Sequence, residues 1–190
     1  MYTQAFEDAV NHAMLYEVGG HWNVDAPGVR DGTSKKGCGY VNDPVDPGGE
    51  TKFGVAKNAN PDLDVKNLDW EGAKAVYYRR YWLNASCDKL PGRIAVLHFD
   101  GCVNHGVGRG NKILQTALGV GQDGVIGDMT LSKANEADPI EVCNDICNQR
   151  EMLYRNIVAK NPSQGKYLGG WLRRINEMRD FTTEPSRDFA

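Results

Sequence analysis

From Asp69 to Phe181 the apolar residues recur at the three- and four-residue spacing of helices, in six successive segments separated by turn formers. The spacing predicts helices over residues 70–83, 92–104, 109–118, 129–135, 139–159 and 165–181. Asp69 precedes the first of these as a cap, with Glu71 near its positive end and Arg79-Arg80 near its negative end. Another helix fits residues 3–16, where Phe6, Val10, Ala13 and Met14 form one stripe and Gly19-Gly20 supplies the stop. A segment rich in Gly, Asp and Lys follows over residues 20–39, with no apolar period, and reads as a long surface loop. Tyr40-Val41 and Lys52-Phe53-Gly54-Val55 then flank a turn-forming run, residues 42–51, which predicts a small irregular hairpin. The chain therefore reads as mainly α (α+β), and its 190 residues make one compact unit or two small lobes sharing a core.

Composition narrows the classes. With 41% hydrophobic and 25% charged residues the chain is neither fibrous nor wholly disordered. A formal charge of −3 does not favour nucleic-acid binding. No run approaches the ~20 apolar residues of a membrane span, and residues 1–8 lack the basic start and apolar core of a signal peptide. The expectation is a soluble, cytosolic, monomeric product with no stable membrane association. Residues 149–190 hold 8 basic and 5 acidic side chains, against 14 and 20 before them, which suits either an anionic polymer or ordinary solvated helix faces. Cys38, Cys87, Cys102, Cys143 and Cys147 form no Cys-x-x-Cys pair and read as reduced thiols. His12, His21, His98 and His105 show no zinc spacing, so neither a metal nor another cofactor is expected.

Glu17 continues the apolar stripe of the first helix. A carboxylate there is poorly hydrated, and the negative end of the helix dipole disfavours it further. Both effects raise the pKa, which is what a general acid needs near neutral pH. Asp43 and Asp46 each precede a proline, which biases their backbones to extended conformations, and Gly48-Gly49 leaves space beside Asp46. Thr51 adds a hydroxyl able to orient a water. An ionised Asp in a polar turn facing a protonated Glu on an apolar helix is the division of labour of glycosidases. By residue type alone the same run also reads as a tight turn or a poor calcium loop.

Glu17-Val-Gly-Gly20 and Gly39-Tyr-Val-Asn-Asp-Pro-Val-Asp-Pro-Gly-Gly-Glu-Thr-Lys-Phe-Gly-Val55 resemble the signature of glycoside hydrolase family 108, the phage and bacterial N-acetylmuramidases. Downstream, Phe99-Asp-Gly-Cys-Val-Asn-His-Gly106, Leu114-Gln-Thr-Ala-Leu-Gly119, Asp123-Gly-Val-Ile-Gly127 and Gly170-Trp-Leu-Arg-Arg174 resemble the predicted peptidoglycan-binding region of that family. In the family the glutamate, two glycines and a tyrosine are nearly contiguous, whereas here 18 residues separate Gly20 from Gly39. Loop closure entropy grows by only about 0.6 kcal/mol per doubling of length, so an insert of this size is tolerable.

The resemblance implies a lysozyme-like fold, with a catalytic region over residues 1–90, including the insert 20–39, and a helical peptidoglycan-binding region over 91–190. It implies hydrolysis of the β-1,4 bond between N-acetylmuramic acid and N-acetylglucosamine, with Glu17 as acid, Asp46 as base or stabiliser (Asp43 being the other candidate) and Thr51 holding water. Tyr40, Asp43, Asn104 and His105 are the expected glycan contacts, although Asn104-His105-Gly106 also reads as a helix C-cap and the helical tryptophans Trp70, Trp82 and Trp171 as core anchors. It further implies a phage endolysin held in the host cytoplasm until a pore opens the membrane. The rival readings are a lytic transglycosylase and a non-catalytic wall-binding protein.

Overall fold

The computed structural model describes residues 1–18, 40–42 and 48–189. The insert 20–39, Asp43 and Asp46 lie outside them. The chain divides into two compact units, Glu7–Arg80 on one hand and Met1–Phe6 with Tyr81–Ala190 on the other. Seven α-helices and one two-stranded antiparallel sheet are described, a mainly α, lysozyme-like architecture.

Helix α1 (Gln4–Glu17), whose residues from Glu7 on belong to the first unit, buries Val10, Ala13 and Met14 of the predicted stripe there, and Ala9 beside them. Strands β1 (Thr51–Lys52) and β2 (Val55–Ala56) pair with Thr51 opposite Ala56 and Lys52 opposite Val55. Their connection is the dipeptide Phe53-Gly54, both with positive φ (51° and 73°), the signature of a type I′ turn. The turn-forming run 42–50 is therefore not the tip of this hairpin. It is closed at its base by a bridge in which Val41 and Thr51 exchange both backbone hydrogen bonds at 2.8 Å. Gly49, with φ 69°, has the positive φ that the run requires.

Helix α2 (Trp70–Tyr77) begins as expected, with the Asp69 carboxylate accepting from the Gly72 amide at 2.7 Å. The single α-helix expected over 70–83 is corrected: residues Tyr78–Leu83 widen into a π-helix. Lys74 reaches from α2 to α1, 3.0 Å from Glu7 and 2.9 Å from Glu71. Burial would lower the pKa of this lysine, but the two carboxylates outweigh it and raise it.

In the second unit the central element is α3 (Gly92–His105), buried at every residue from Ile94 to Cys102. Around it pack α4 (Val107–Ala117), α6 (Pro139–Lys160) and α7 (Gly165–Thr183), and α5 (Asp128–Glu136) links α4 to α6 along the chain. Phe6, Trp82 and Phe99 meet edge-on or tilted, with centroids 5.4–5.9 Å apart. Asp100 lies inside this core between Arg150 of α6 and Arg174 of α7, each 2.7 Å away. Burial pushes the Asp100 pKa up, but the two guanidinium groups win and hold it well below the usual carboxylate range. Cys87, Cys102, Cys143 and Cys147 are free, buried thiols.

Candidate active site

The C-terminal turn of α1 contains no basic residue, so Glu17 sits at the negative end of a helix without a cation in that turn. Its side chain is half-buried. What stands against it is the hairpin turn. A Cβ built on Gly54 would lie 3.2 Å from Glu17 Cβ, 3.5 Å from Glu17 Oε2 and only 2.5 Å from the hydroxyl of Tyr77. Gly54 thus serves two ends: it supplies the positive φ of the turn and lets the backbone approach both side chains.

Tyr77 is the last residue of α2 and is buried. Its hydroxyl donates to the Phe53 carbonyl at 2.9 Å. Phe53 is a non-glycine residue at φ 51°, a conformation costing about 1–3 kcal/mol. Burial of its ring, which is 2% exposed and 5.7 Å from Trp70, stabilises by about 1.5–3 kcal/mol, and the hydrogen bond adds about 0.5–1.5. Packing therefore offsets the strain, and the turn is held rigidly beside Glu17.

Of the residues expected from sequence, Glu17 and the hairpin that opens with Thr51 are brought together by this turn. Thr51 is half-buried and pairs with Val41 on one side and Ala56 on the other, so its backbone position is fixed. Tyr40 is half-buried, and its hydroxyl donates to Glu50 Oε2 at 3.0 Å across the base of the run 42–50. That carboxylate, foremost by accepting the hydrogen bond, raises the Tyr40 pKa. Asp43 and Asp46 lie in the run that this bond and the Val41–Thr51 bridge close, outside the described residues.

Asn104 and His105 belong to the last turn of α3, in the other unit. Gly106 ends that helix, its amide bonding to the Cys102 carbonyl at 2.9 Å, as a C-cap requires. Asn104 is exposed and its side-chain oxygen accepts from the Tyr154 hydroxyl. The His105 ring stands 5.3 Å from that of Tyr154, and its pKa is pushed down to about 3, first by burial and then by the charge of Arg150. His105 is a neutral imidazole at neutral pH. Trp70 and Trp82 are core residues, 8% and 2% exposed, whereas Trp171 is half-buried and stacks on Tyr154 at 4.8 Å.

Sequence reading missed Tyr77 and the double role of Gly54. The string Lys52-Phe53-Gly54-Val55 does carry a glycine where a two-residue turn needs one, but nothing local to Tyr77 distinguishes it from any buried aromatic of an amphipathic helix. Among the described residues no cluster of His, Cys, Asp or Glu has the makings of a metal site.

Comparison with known proteins adds the following. Residues 31–106 match the family model of glycosyl hydrolase 108, and residues 109–176 match that of the predicted peptidoglycan domain. Tyr40, Asp43, Asp46, Thr51, Asn104 and His105 fall inside the first match, and Glu17 precedes it. Among solved structures, SagA of Brucella abortus is similar over 96% of both chains, with 26% sequence identity and a TM-score of 0.71. No curated protein matches the chain.

Proposed function

We propose, for a chain whose residues 31–106 match the glycosyl hydrolase 108 model and whose residues 109–176 match the predicted peptidoglycan domain, a lysozyme-type muramidase cutting the β-1,4 bond between N-acetylmuramic acid and N-acetylglucosamine. A glycoside hydrolase domain in a chain that hydrolyses or binds peptidoglycan stands on the two family matches. The muramidase reading rests on one observation: a carboxyl group at the negative end of α1, with the Phe53-Gly54 turn, held by the Tyr77 hydroxyl, packed beside it.

In this reading Glu17 carries the proton. It donates that proton to the glycosidic oxygen. Asp46, or Asp43, supplies the ionised partner on the opposite face of the sugar, and Thr51 holds the water that attacks. Tyr40 and Asp43 border the saccharide, and Asn104 and His105 are glycan contacts of the other unit, with an amide and a neutral imidazole. Residues 1–90 are assigned the chemistry and residues 91–190 the hold on the wall. The wider setting we infer is a monomeric phage endolysin, kept in the host cytoplasm until the membrane is permeabilised and then acting on the periplasmic wall.

The test is Glu17→Gln, assayed on purified peptidoglycan with mass spectrometry of the released muropeptides. The expected result is a loss of 10²-fold or more in rate with an unchanged circular dichroism spectrum. The wild-type chain should release reducing ends. Anhydro ends would replace hydrolysis by transglycosylation, and an active Glu17→Gln variant would remove Glu17 from the acid role.

A further inference from the structure

A groove of about 270 Å³ lies between α4 and α6, far along the chain from the hairpin and wholly within the residues that match the predicted peptidoglycan domain. Arg109 and Lys112 line it from α4, Gln149 and Asn156 from α6, and Ile113 and Leu153 give it an apolar portion. Arg109 and Lys112 are three residues apart, hence on one face of α4, and both are exposed. Neither makes an ion pair among the described residues. Two unpaired like charges side by side repel, and an anion placed between them relieves that repulsion.

The neighbouring loop is built to stay put. Gln115 of α4 donates to the Asp123 carboxylate at 2.6 Å and to the Val125 carbonyl at 3.0 Å, and accepts from the Gly124 amide at 2.8 Å. Asn111 donates to the Gly124 carbonyl at 2.9 Å. The Asp123 carboxylate is held in place by Gln115 and by the Val125 amide at 2.8 Å; the more distant charge of Lys112 also helps keep its pKa low, without forming an ion pair. Gln122, next to this fixed turn, completes the groove wall.

We infer that this groove is a second peptidoglycan site, which takes the muramyl stem peptide rather than the sugar backbone. The stem is the anionic part of the polymer: its carboxylates suit Arg109 and Lys112, its amide bonds suit Gln149 and Asn156, and its alanine methyls suit Ile113 and Leu153. The inference rests on peptidoglycan being the partner, and not on Glu17 being the acid.

The test uses the full chain and two soluble probes, the disaccharide tetrapeptide and the same disaccharide without its peptide, titrated by ¹H–¹⁵N NMR. Neither probe contains the bond from N-acetylmuramic acid to N-acetylglucosamine that a muramidase cuts, so binding is read whether or not the chain cuts glycan. Expected are shifts at Arg109, Lys112, Gln149 and Asn156 with the peptide-bearing probe only. Affinity should fall at least tenfold in Arg109→Gln/Lys112→Gln, and should weaken with salt. Asn156→Ala, an exposed change on α6, serves as a second variant and should also weaken binding. Equal shifts at these residues from the peptide-free probe, or unaltered affinity in both variants, would overturn the inference.

Discussion

At the scale of single residues, Gly54 is the position where the least change does the most. Gly54→Ala puts a methyl 2.5 Å from the Tyr77 hydroxyl and 3.2 Å from Glu17 Cβ, on a backbone at φ 73° that alanine rarely adopts. Either the turn or Glu17 must move. The expected outcome is a loss of about 1–3 kcal/mol in stability together with a drop in kcat far larger than any change in KM, measured by denaturant titration and by hydrolysis of purified peptidoglycan. Tyr77→Phe is gentler. It deletes the hydrogen bond that holds the Phe53 carbonyl and costs about 1–3 kcal/mol, the value for a buried acceptor left without its donor. Glycine at 54 is readable as a turn former, but its nearness to Glu17 depends on residues 37 positions apart coming together, which no local pattern encodes.

Among the elements, α3 shows how far a helix pattern reaches and where it stops. Its apolar spacing and its end at Gly106 follow from short-range rules of helix formation and capping, whereas α4 begins at Val107, two residues before the expected start at residue 109. Its burial on all sides does not, because that depends on α4, α6 and α7 packing around it. The consequence is Asp100, 1% exposed, which only the arginines of two later helices make tolerable. Asp100→Ala leaves Arg150 and Arg174 buried without their partner and should cost about 3–5 kcal/mol, a fall in Tm of roughly 10 °C. Glu136→Ala, which breaks the exposed Lys133–Glu136 pair, should leave stability nearly unchanged, since solvent screens the pair. Calorimetry of the two variants side by side checks the contrast. The π-helical stretch at Tyr78–Leu83 is likewise invisible locally: its residues continue a helical apolar pattern, and only the packing of the folded chain widens the turn.

Over the molecule as a whole, the buried histidines set the acid side of the stability profile. Burial pushes His98 down to about 4 and His105 to about 3. A depressed histidine binds its proton more readily in the unfolded chain. It therefore adds stability above its ordinary pKa near 6.5, and that stability is lost as pH falls toward the folded value. The free energy of unfolding should be level above pH 6.5 and fall below it by about 1.4 kcal/mol per pH unit for each histidine, and Tm should fall with it. His98→Gln should remove about half of that slope whatever it does to the stability at pH 7. Asp100 acts in the same direction at lower pH, since its depressed pKa extends the loss below about pH 4.

Local pattern was enough for six of the seven described α-helices to within about two residues, for the cap at Asp69 and for the stop at Gly106, because each follows from interactions among residues three or four apart; it placed a small β element near residues 40–55 without its true turn. It also marked Glu17, since a carboxylate on an apolar stripe is anomalous by its neighbours alone. What stands around that carboxylate, which turn is the hairpin's own and which two arginines answer Asp100 emerge only in the folded chain. Those are pairings across tens of residues, fixed by the packing of whole faces, and a linear pattern holds no record of which face meets which.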